Sequence, residues 1–226
     1  MELEIHLTAV TPLCMHNIRL ANPHDEYTQQ IKRITSKSPK QKTEQDAFDV
    51  ERLEWMGGLY HDEANGYYLE ATGIKRCFQE AAKATRQGAH VRRGFRPLLH
   101  FVPLQFPHRD LTPAELWDHT DAGLPKAFWF DGSHPYRFWK MVRVTGMVAR
   151  MRPIFPQWSV TFGAELDSDM LDLDVFQEIV ERAGVVEGLY EARAIGMGRF
   201  QAIITAVGVG SDSRGRGKAK RAAAGD

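Results

Sequence analysis

Two stretches of the chain alternate apolar and polar residues, and this alternation limits which folds the chain can adopt. Near the start, Leu3, Ile5, Leu7 and Ala9 alternate with polar neighbours, and Pro12 follows. Residues 158–166 repeat the pattern, and residues 199–207 form a further candidate strand. A period of two is typical of a strand with one buried and one wet face. The pattern therefore favours an antiparallel sheet with helices on one side.

Two helical stripes lie between these strands. The first has apolar residues at helical spacing from Ile74 to Ala82, with Thr72 placed to cap its start and Gly88 to stop it. The second runs over residues 175–183 after Asp172 or Asp174 as cap, and Gly184 closes it. Both stripes predict amphipathic helices packed on the sheet.

The remaining segments complete a recognisable order of elements. Residues 98–106 predict a strand interrupted by Pro103, residues 141–148 another strand, and residues 152–156 a hairpin connection, while residues 107–135 read as irregular. The order is β-α-β-β-α-β, which predicts an α+β, ferredoxin-like (RRM-like) fold. An insertion at about 16–70 carries a short helix near Tyr27 and a second that begins at a capping box, Thr43 to Asp46. We expect one domain over residues 1–209 and a disordered basic tail over 210–226.

Composition excludes several classes of protein. The chain has 226 residues, with 29 basic and 29 acidic side chains, so a uniformly basic nucleic-acid coat is excluded. Its two cysteines, Cys14 and Cys77, rule out a disulfide scaffold and predict a cytoplasmic protein. No apolar run is long enough to span a membrane. The histidines show no ligand spacing and no phosphate-loop motif is present, so we expect no metal and no cofactor.

Charge is distributed in blocks along the chain. Residues 19–42 carry six bases and two acids, residues 69–96 seven bases and two acids, and residues 137–152 five bases and no acid. Between and after them lie acidic blocks, the strongest over residues 163–191 with nine acids and one base. Separate basic segments predict a local anion-binding groove, whereas each alone is equally consistent with a solvated face.

A glycine-rich turn precedes the last predicted strand. Residues 194–200 read AIGMGRF, with Gly196 and Gly198 before Arg199. Glycine permits positive φ and close backbone approach, and exposed amides in such a turn can bind phosphate. A turn that merely leads into a strand is the alternative interpretation.

Three motifs together give a family resemblance. Thr11-Pro12-Leu13 after the first strand, residues 68–76 (YLEATGIKR) at the start of the first helix, and GMGRF at residues 196–200 resemble the RAMP superfamily of CRISPR-associated proteins. Residues 12–17, 27–37 and 57–60 also resemble uncharacterised phage and prophage proteins. The RAMP resemblance implies an RRM-like fold and, in the backbone subunits, a non-catalytic coat on single-stranded RNA.

The resemblance and the basic blocks together predict binding of single-stranded nucleic acid, with a homo-oligomer or ribonucleoprotein as the assembly. The predicted binding residues are Arg19, Lys32, Arg33, Lys37, Lys75, Arg76, Lys83, Arg86, Arg92, Arg93, Arg150, Arg152, Gly196, Gly198 and Arg199. One alternative is a RAMP-type RNA endonuclease that uses His16 as general acid or base. Another is a phage structural or assembly protein.

Overall fold

The structure is a computed structural model that describes residues 1–119, 134–143 and 146–207. These residues form an α+β fold with antiparallel sheets. The strands are β1 (Glu2–Ala9), β2 (Leu13–Cys14), β3 (His61–Asp62), β4 (Gly66–Glu70), β5 (Phe95–Pro97), β6 (Phe101–Gln105), β7 (Arg137–Arg143), β8 (Met147–Phe155), β9 (Ser159–Leu166) and β10 (Phe200–Val207). The α-helices are α1 (Glu26–Thr35), α2 (Glu44–Gly58), α3 (Ala71–Ala82), α4 (Gly88–Gly94), α5 (Pro113–Asp118) and α6 (Leu173–Arg182).

The larger sheet has the strand order β10-β1-β9-β6-β4-β3, and β5 pairs with β9 beside β6. Leu3, Ile5 and Leu7 point into the core, whereas their polar neighbours on β1 face outward. Helices α3 and α6 cover the buried face. There the ring centroid of Phe78 lies 6.0 Å from that of Phe176, and the Phe78 ring packs against the rings of β5 and β10. This burial of one face is what the alternation in the sequence predicts.

Several predicted elements are confirmed. Strands lie at β1, β9 and β10, and the two amphipathic stripes are α3 and α6. In the insertion, α1 contains Tyr27, and α2 begins at a capping box in which Thr43 and Asp46 bond each other's backbone. Such reciprocal bonds satisfy amides that the first helical turn leaves without partners.

Three predicted helix boundaries and one predicted strand interruption are wrong. Helix α3 begins at Ala71, directly after strand β4, so Thr72 lies inside its first turn and does not cap it. Gly88 begins α4, and the chain instead turns at Arg86, whose φ is +61°. Gly184 lies in a π-helical turn after α6 that ends at Gly188. Pro103 lies within β6, paired with Tyr68, without breaking the strand.

The segment after residue 134 differs most from the prediction. The predicted strand at 141–148 is a hairpin of β7 and β8, and residues 152–156 continue β8 up to Phe155 instead of forming a connection. The predicted irregular segment contains α5, and its residues 120–133 lie outside the described residues, as does the predicted tail. Pro153 lies within β8 although it has no amide hydrogen to donate, and its carbonyl accepts the amide of Met15 at 2.9 Å.

Strands β7 and β8 join β2 in a three-stranded sheet. One face of this sheet packs into the main core through Leu13, Met15 and Phe155. The other face forms a small second core of Cys14, Phe138, Ile154, Ala192 and Met197. None of the described helices is both long and apolar enough to cross a bilayer.

Candidate nucleic-acid interface

The glycine-rich turn belongs to a longer segment, residues 183–199, which we call the glycine segment. Gly188 and Gly198 have φ values of +70° and +73°, and the Leu189 amide donates to the Gly198 carbonyl at 2.8 Å. A Cβ atom on Gly198 would lie 2.1 Å from the Leu189 carbonyl oxygen. Only glycine fits there, because this backbone folds against itself with no room for a side chain.

The amides of the turn are already paired within the fold. The Gly196 amide donates to the Arg193 carbonyl at 2.8 Å, and the Gly198 amide donates to the Pro12 carbonyl at 2.8 Å. The Thr11 hydroxyl donates to the Gly196 carbonyl at 2.8 Å and accepts the Arg199 amide at 2.8 Å. Free amides for a phosphate are therefore not found at Gly196 or Gly198. The turn instead joins the chain's first loop to its last strand.

A cavity lies between α3 and the glycine segment. Its volume is about 750 Å³, and a second hollow of about 390 Å³ shares Arg76, Tyr190 and Arg193 with it. We call the two together the α3 groove. The charged residues of the larger cavity are Arg76, Glu80, Lys83, Lys140, Glu187, Glu191 and Arg193.

Two guanidinium groups in the α3 groove are free to bind a ligand. Arg76 and Arg193 are exposed, and neither makes an ion pair within the described parts of the chain. Lys83 is bound to Glu80 at 2.5 Å. The hydrogen bond from Lys83 lowers the pKa of Glu80, and the charges of Arg76 and Arg193 add to this effect.

The other lysine in the groove, Lys140, pairs with Glu191. The smaller hollow adds Glu70, so four cations face four carboxylates and the formal charge of the groove is zero. Among the described residues, the cations of the groove without an ion pair are Arg76 and Arg193. Both arginines point to a ligand with phosphate or carboxylate oxygens, which guanidinium groups bind through paired N–H donors.

Several other predicted binding residues are used inside the fold. Lys75 donates to the Phe95 carbonyl at 2.5 Å, away from the groove, and Lys37 pairs with Asp46 at 2.6 Å. Arg150 pairs with buried Glu54 at 2.5 Å. Arg19 pairs with Asp25 at 2.9 Å and stacks on the Tyr27 ring. The three ion pairs compensate the charges of Lys37, Arg150 and Arg19, whereas Lys75 keeps its charge but is held away from the groove.

The remaining predicted cations are exposed but belong to different elements. Lys32 and Arg33 lie on α1, which packs against α2, whereas Arg92 and Arg93 lie on α4, which packs against α3. Arg86 is exposed before α4, and the exposed Arg199 has its guanidinium carbon 3.7 Å from a Cβ placed on Gly196. Of the predicted set, the cavity gathers Arg76 and Lys83.

Sequence reasoning missed Arg193 and Lys140. Arg193 lies three residues before Gly196, so the glycine turn itself was the signal that could have indicated it. Lys140 lies in the basic block of residues 137–152, but that block did not single it out, because it reaches the cavity through the hairpin of β7 and β8, which the sequence did not predict.

His16 is half-buried and Arg152 is buried, and the two lie near one another. Burial, together with the charges of Arg152 and Lys140, lowers the pKa of His16 to about 4. Its imidazole is therefore neutral at pH 7, the form that can accept a proton as a general base but cannot give one as a general acid. The endonuclease alternative is therefore limited to His16 as general base.

Within the described residues, no group of three or more His, Cys, Asp or Glu side chains is arranged to hold a metal ion. Both cysteines are buried and free. Comparison of the chain with protein-family models gives no match, and comparison with curated proteins gives no significant match.

Proposed function

We propose that this chain is a non-catalytic cytoplasmic protein that binds single-stranded nucleic acid, RNA in preference to DNA, along the α3 groove. One observation carries the proposal: Arg76 from α3 and Arg193 from the glycine segment converge on one groove, and no carboxylate of the described residues is bound to either. A strand in the groove would place phosphates against these arginines, with Lys83 and Lys140 on the walls. Copies of the chain would then assemble side by side along the strand.

The strand order supports the family part of the proposal. The last strand lies beside the first, the first beside β9, and β9 beside β5, with α3 and α6 as the two crossovers. A ferredoxin-like split unit has this arrangement of β-α-β-β-α-β elements. On that basis we infer a ferredoxin-like domain with an insertion, related to the RAMP backbone subunits.

The open face of the large sheet is a poor alternative binding surface. On β1 and β9 it presents carboxylates, from Glu2, Glu4 and Glu165. His6 is held by hydrogen bonds to Thr161 and Thr8 at 2.8 and 2.9 Å. Repulsion from these acids favours the α3 groove as the path of the strand.

The test is fluorescence anisotropy with a labelled single-stranded RNA and its DNA equivalent across a salt series. If Arg76 and Arg193, the cations of the groove without an ion pair in the described residues, each neutralise one phosphate, log K falls with log salt at a slope of about −1.4. The double variant Arg76→Gln/Arg193→Gln should reduce the slope by about 1.4 units and weaken binding at every salt concentration. The double variant Arg92→Gln/Arg93→Gln removes the same charge from α4 and should retain the wild-type slope.

Two outcomes contradict the proposal. Absence of binding at about 50 mM salt removes the function altogether. An equal loss in the α4 and groove variants would mean that the groove is not the binding site. Intact labelled RNA after incubation with wild type would further exclude the endonuclease, whereas cleavage that His16→Ala abolishes would restore it.

The hairpin favours one second candidate, a phage structural or assembly protein. Trp139 is 54% exposed, and Met141 and Met147 are exposed beside it. An apolar patch of this kind is typical of a protein contact surface. Regular particles in electron micrographs of nucleic-acid-free protein, lost in Trp139→Ser, would favour this candidate.

A further inference from the structure

The second core of the three-stranded sheet carries three basic side chains on one face. Cys14 pairs with Ile154, and the Met15 amide bonds the Pro153 carbonyl, so the next residue, His16, comes opposite Arg152. Across β8, Arg152 pairs with Phe138, and Lys140 follows on the same face. Because side chains alternate along a strand, His16, Lys140 and Arg152 share this face. We call them the sheet-face cluster.

Within the described residues, Arg152 is the member of this cluster whose charge has no ion-pair partner. Arg152 is 7% exposed; its Nη1 donates only to the Met151 carbonyl at 2.9 Å, and its Nε has no partner. His16 Nδ1 is also buried without a partner. The carboxylate that acts on Arg152 is Glu54, and Glu54 is bound to Arg150, so the buried guanidinium is only partly compensated. Such burial is unfavourable and points to a group that completes the site.

The neighbouring acids are already used. Glu54 accepts from Arg150 at 2.5 Å and from the Met151 amide at 2.9 Å, and Glu191 pairs with Lys140. The Cys14 thiol adds no negative charge, because burial raises its pKa to about 12. Lys140 therefore has a carboxylate partner, whereas Arg152 has none bound to it among the described residues, and the cluster contains no thiolate.

We propose that the sheet-face cluster is a binding site for a phosphate group, held by Arg152, Lys140 and an N–H of His16. Lys140 belongs both to this cluster and to the wall of the α3 groove. Arginine supplies planar paired donors and lysine a point charge, which is a set that suits a tetrahedral oxyanion. The site does not depend on the proposed function, because a free phosphate and a strand phosphate carry the same chemistry.

The experiment measures thermal unfolding of the full chain in phosphate-free buffer as inorganic phosphate replaces chloride at constant ionic strength. We expect the wild-type melting temperature to rise with phosphate. In Arg152→Met, the apparent affinity for phosphate should fall at least tenfold. This variant should also be no less stable than wild type without phosphate, because it removes an unpaired buried charge. Arg52→Met removes an exposed arginine from α2 and should respond to phosphate like the wild type.

If Arg152→Met does not unfold cooperatively, Lys140→Met is the deciding variant, because Lys140 is partly exposed. Its loss should weaken the apparent affinity for phosphate about fivefold or more. No phosphate response in wild type, or an unchanged response in the deciding variant, overturns the proposal. Oligonucleotides with and without a 5′-phosphate identify the source. Tighter binding of the phosphorylated form, lost in Arg152→Met, indicates a strand end, and equal binding indicates free phosphate or an internal linkage. A phosphate response without strand binding would remove the proposed function alone.

Discussion

Replacing Gly198 with alanine should lower the free energy of unfolding far more than the same change at Gly196. At Gly198, alanine must adopt a φ of +73°, which costs about 1–2 kcal/mol. Its Cβ would also lie 2.1 Å from the Leu189 carbonyl oxygen, so the backbone must separate there and lose the Leu189–Gly198 hydrogen bond. That bond contributes about 1 kcal/mol. With the displaced packing, we expect a loss of about 3–5 kcal/mol in the free energy of unfolding.

Gly196→Ala is the matched control. Its φ is similarly positive at +84°, but the nearest atoms are those of the flexible Arg199 side chain, at 3.7 Å. Only the backbone cost of about 1–2 kcal/mol remains. Urea unfolding followed by circular dichroism gives both values. Equal losses in the two variants, or a loss below about 1 kcal/mol for Gly198→Ala, would refute the claim that the close backbone packing at Gly198 requires glycine.

Three further predictions concern buried polar groups. The pKa of His16 is about 4 in the fold against 6.5 when unfolded, so the unfolded chain binds more protons between those values and stability falls as pH drops through that range. His16→Gln should lose stability less steeply in urea unfolding between pH 7 and 4.5, and parallel curves would contradict this. Cys14 and Cys77 should not react with a thiol reagent at pH 8 until urea is added, because burial raises both pKa values to about 12; rapid labelling of native protein would count against the packing. Glu54→Gln weakens its pair with Arg150 and should cost about 2 kcal/mol, whereas a change within 0.5 kcal/mol would show that the pair contributes little.

The sequence alone predicted those elements in which the apolar residues are buried and the polar residues are exposed. The alternation of β1 and β9 and the capping box before α2 are local signals, and each element formed where expected. The hairpin of β7 and β8 was missed because its polarity is reversed: Arg152 is buried while Trp139 is exposed. A pattern that equates apolar with buried cannot place such strands.

The candidate site was predicted in part, for a related reason. Arg76 and Lys83 were found from the charge on α3, but Lys140 comes to the groove from a distant hairpin, and Arg193 was hidden inside the glycine segment. Charge blocks also do not reveal pairing, so Lys37 and Arg150 counted as binding residues although Asp46 and Glu54 hold them. Which cations are free is decided by tertiary contacts.

Hydrogen–deuterium exchange with and without a saturating single-stranded RNA tests most directly whether the strand lies in the α3 groove. We predict slower exchange in peptides that cover residues 76–83 and 185–199. Peptides from α1 and from β10 serve as internal references and should exchange at the same rate in both states. Protection confined to α1 or α4, with residues 185–199 unaffected while RNA is bound, would contradict the account.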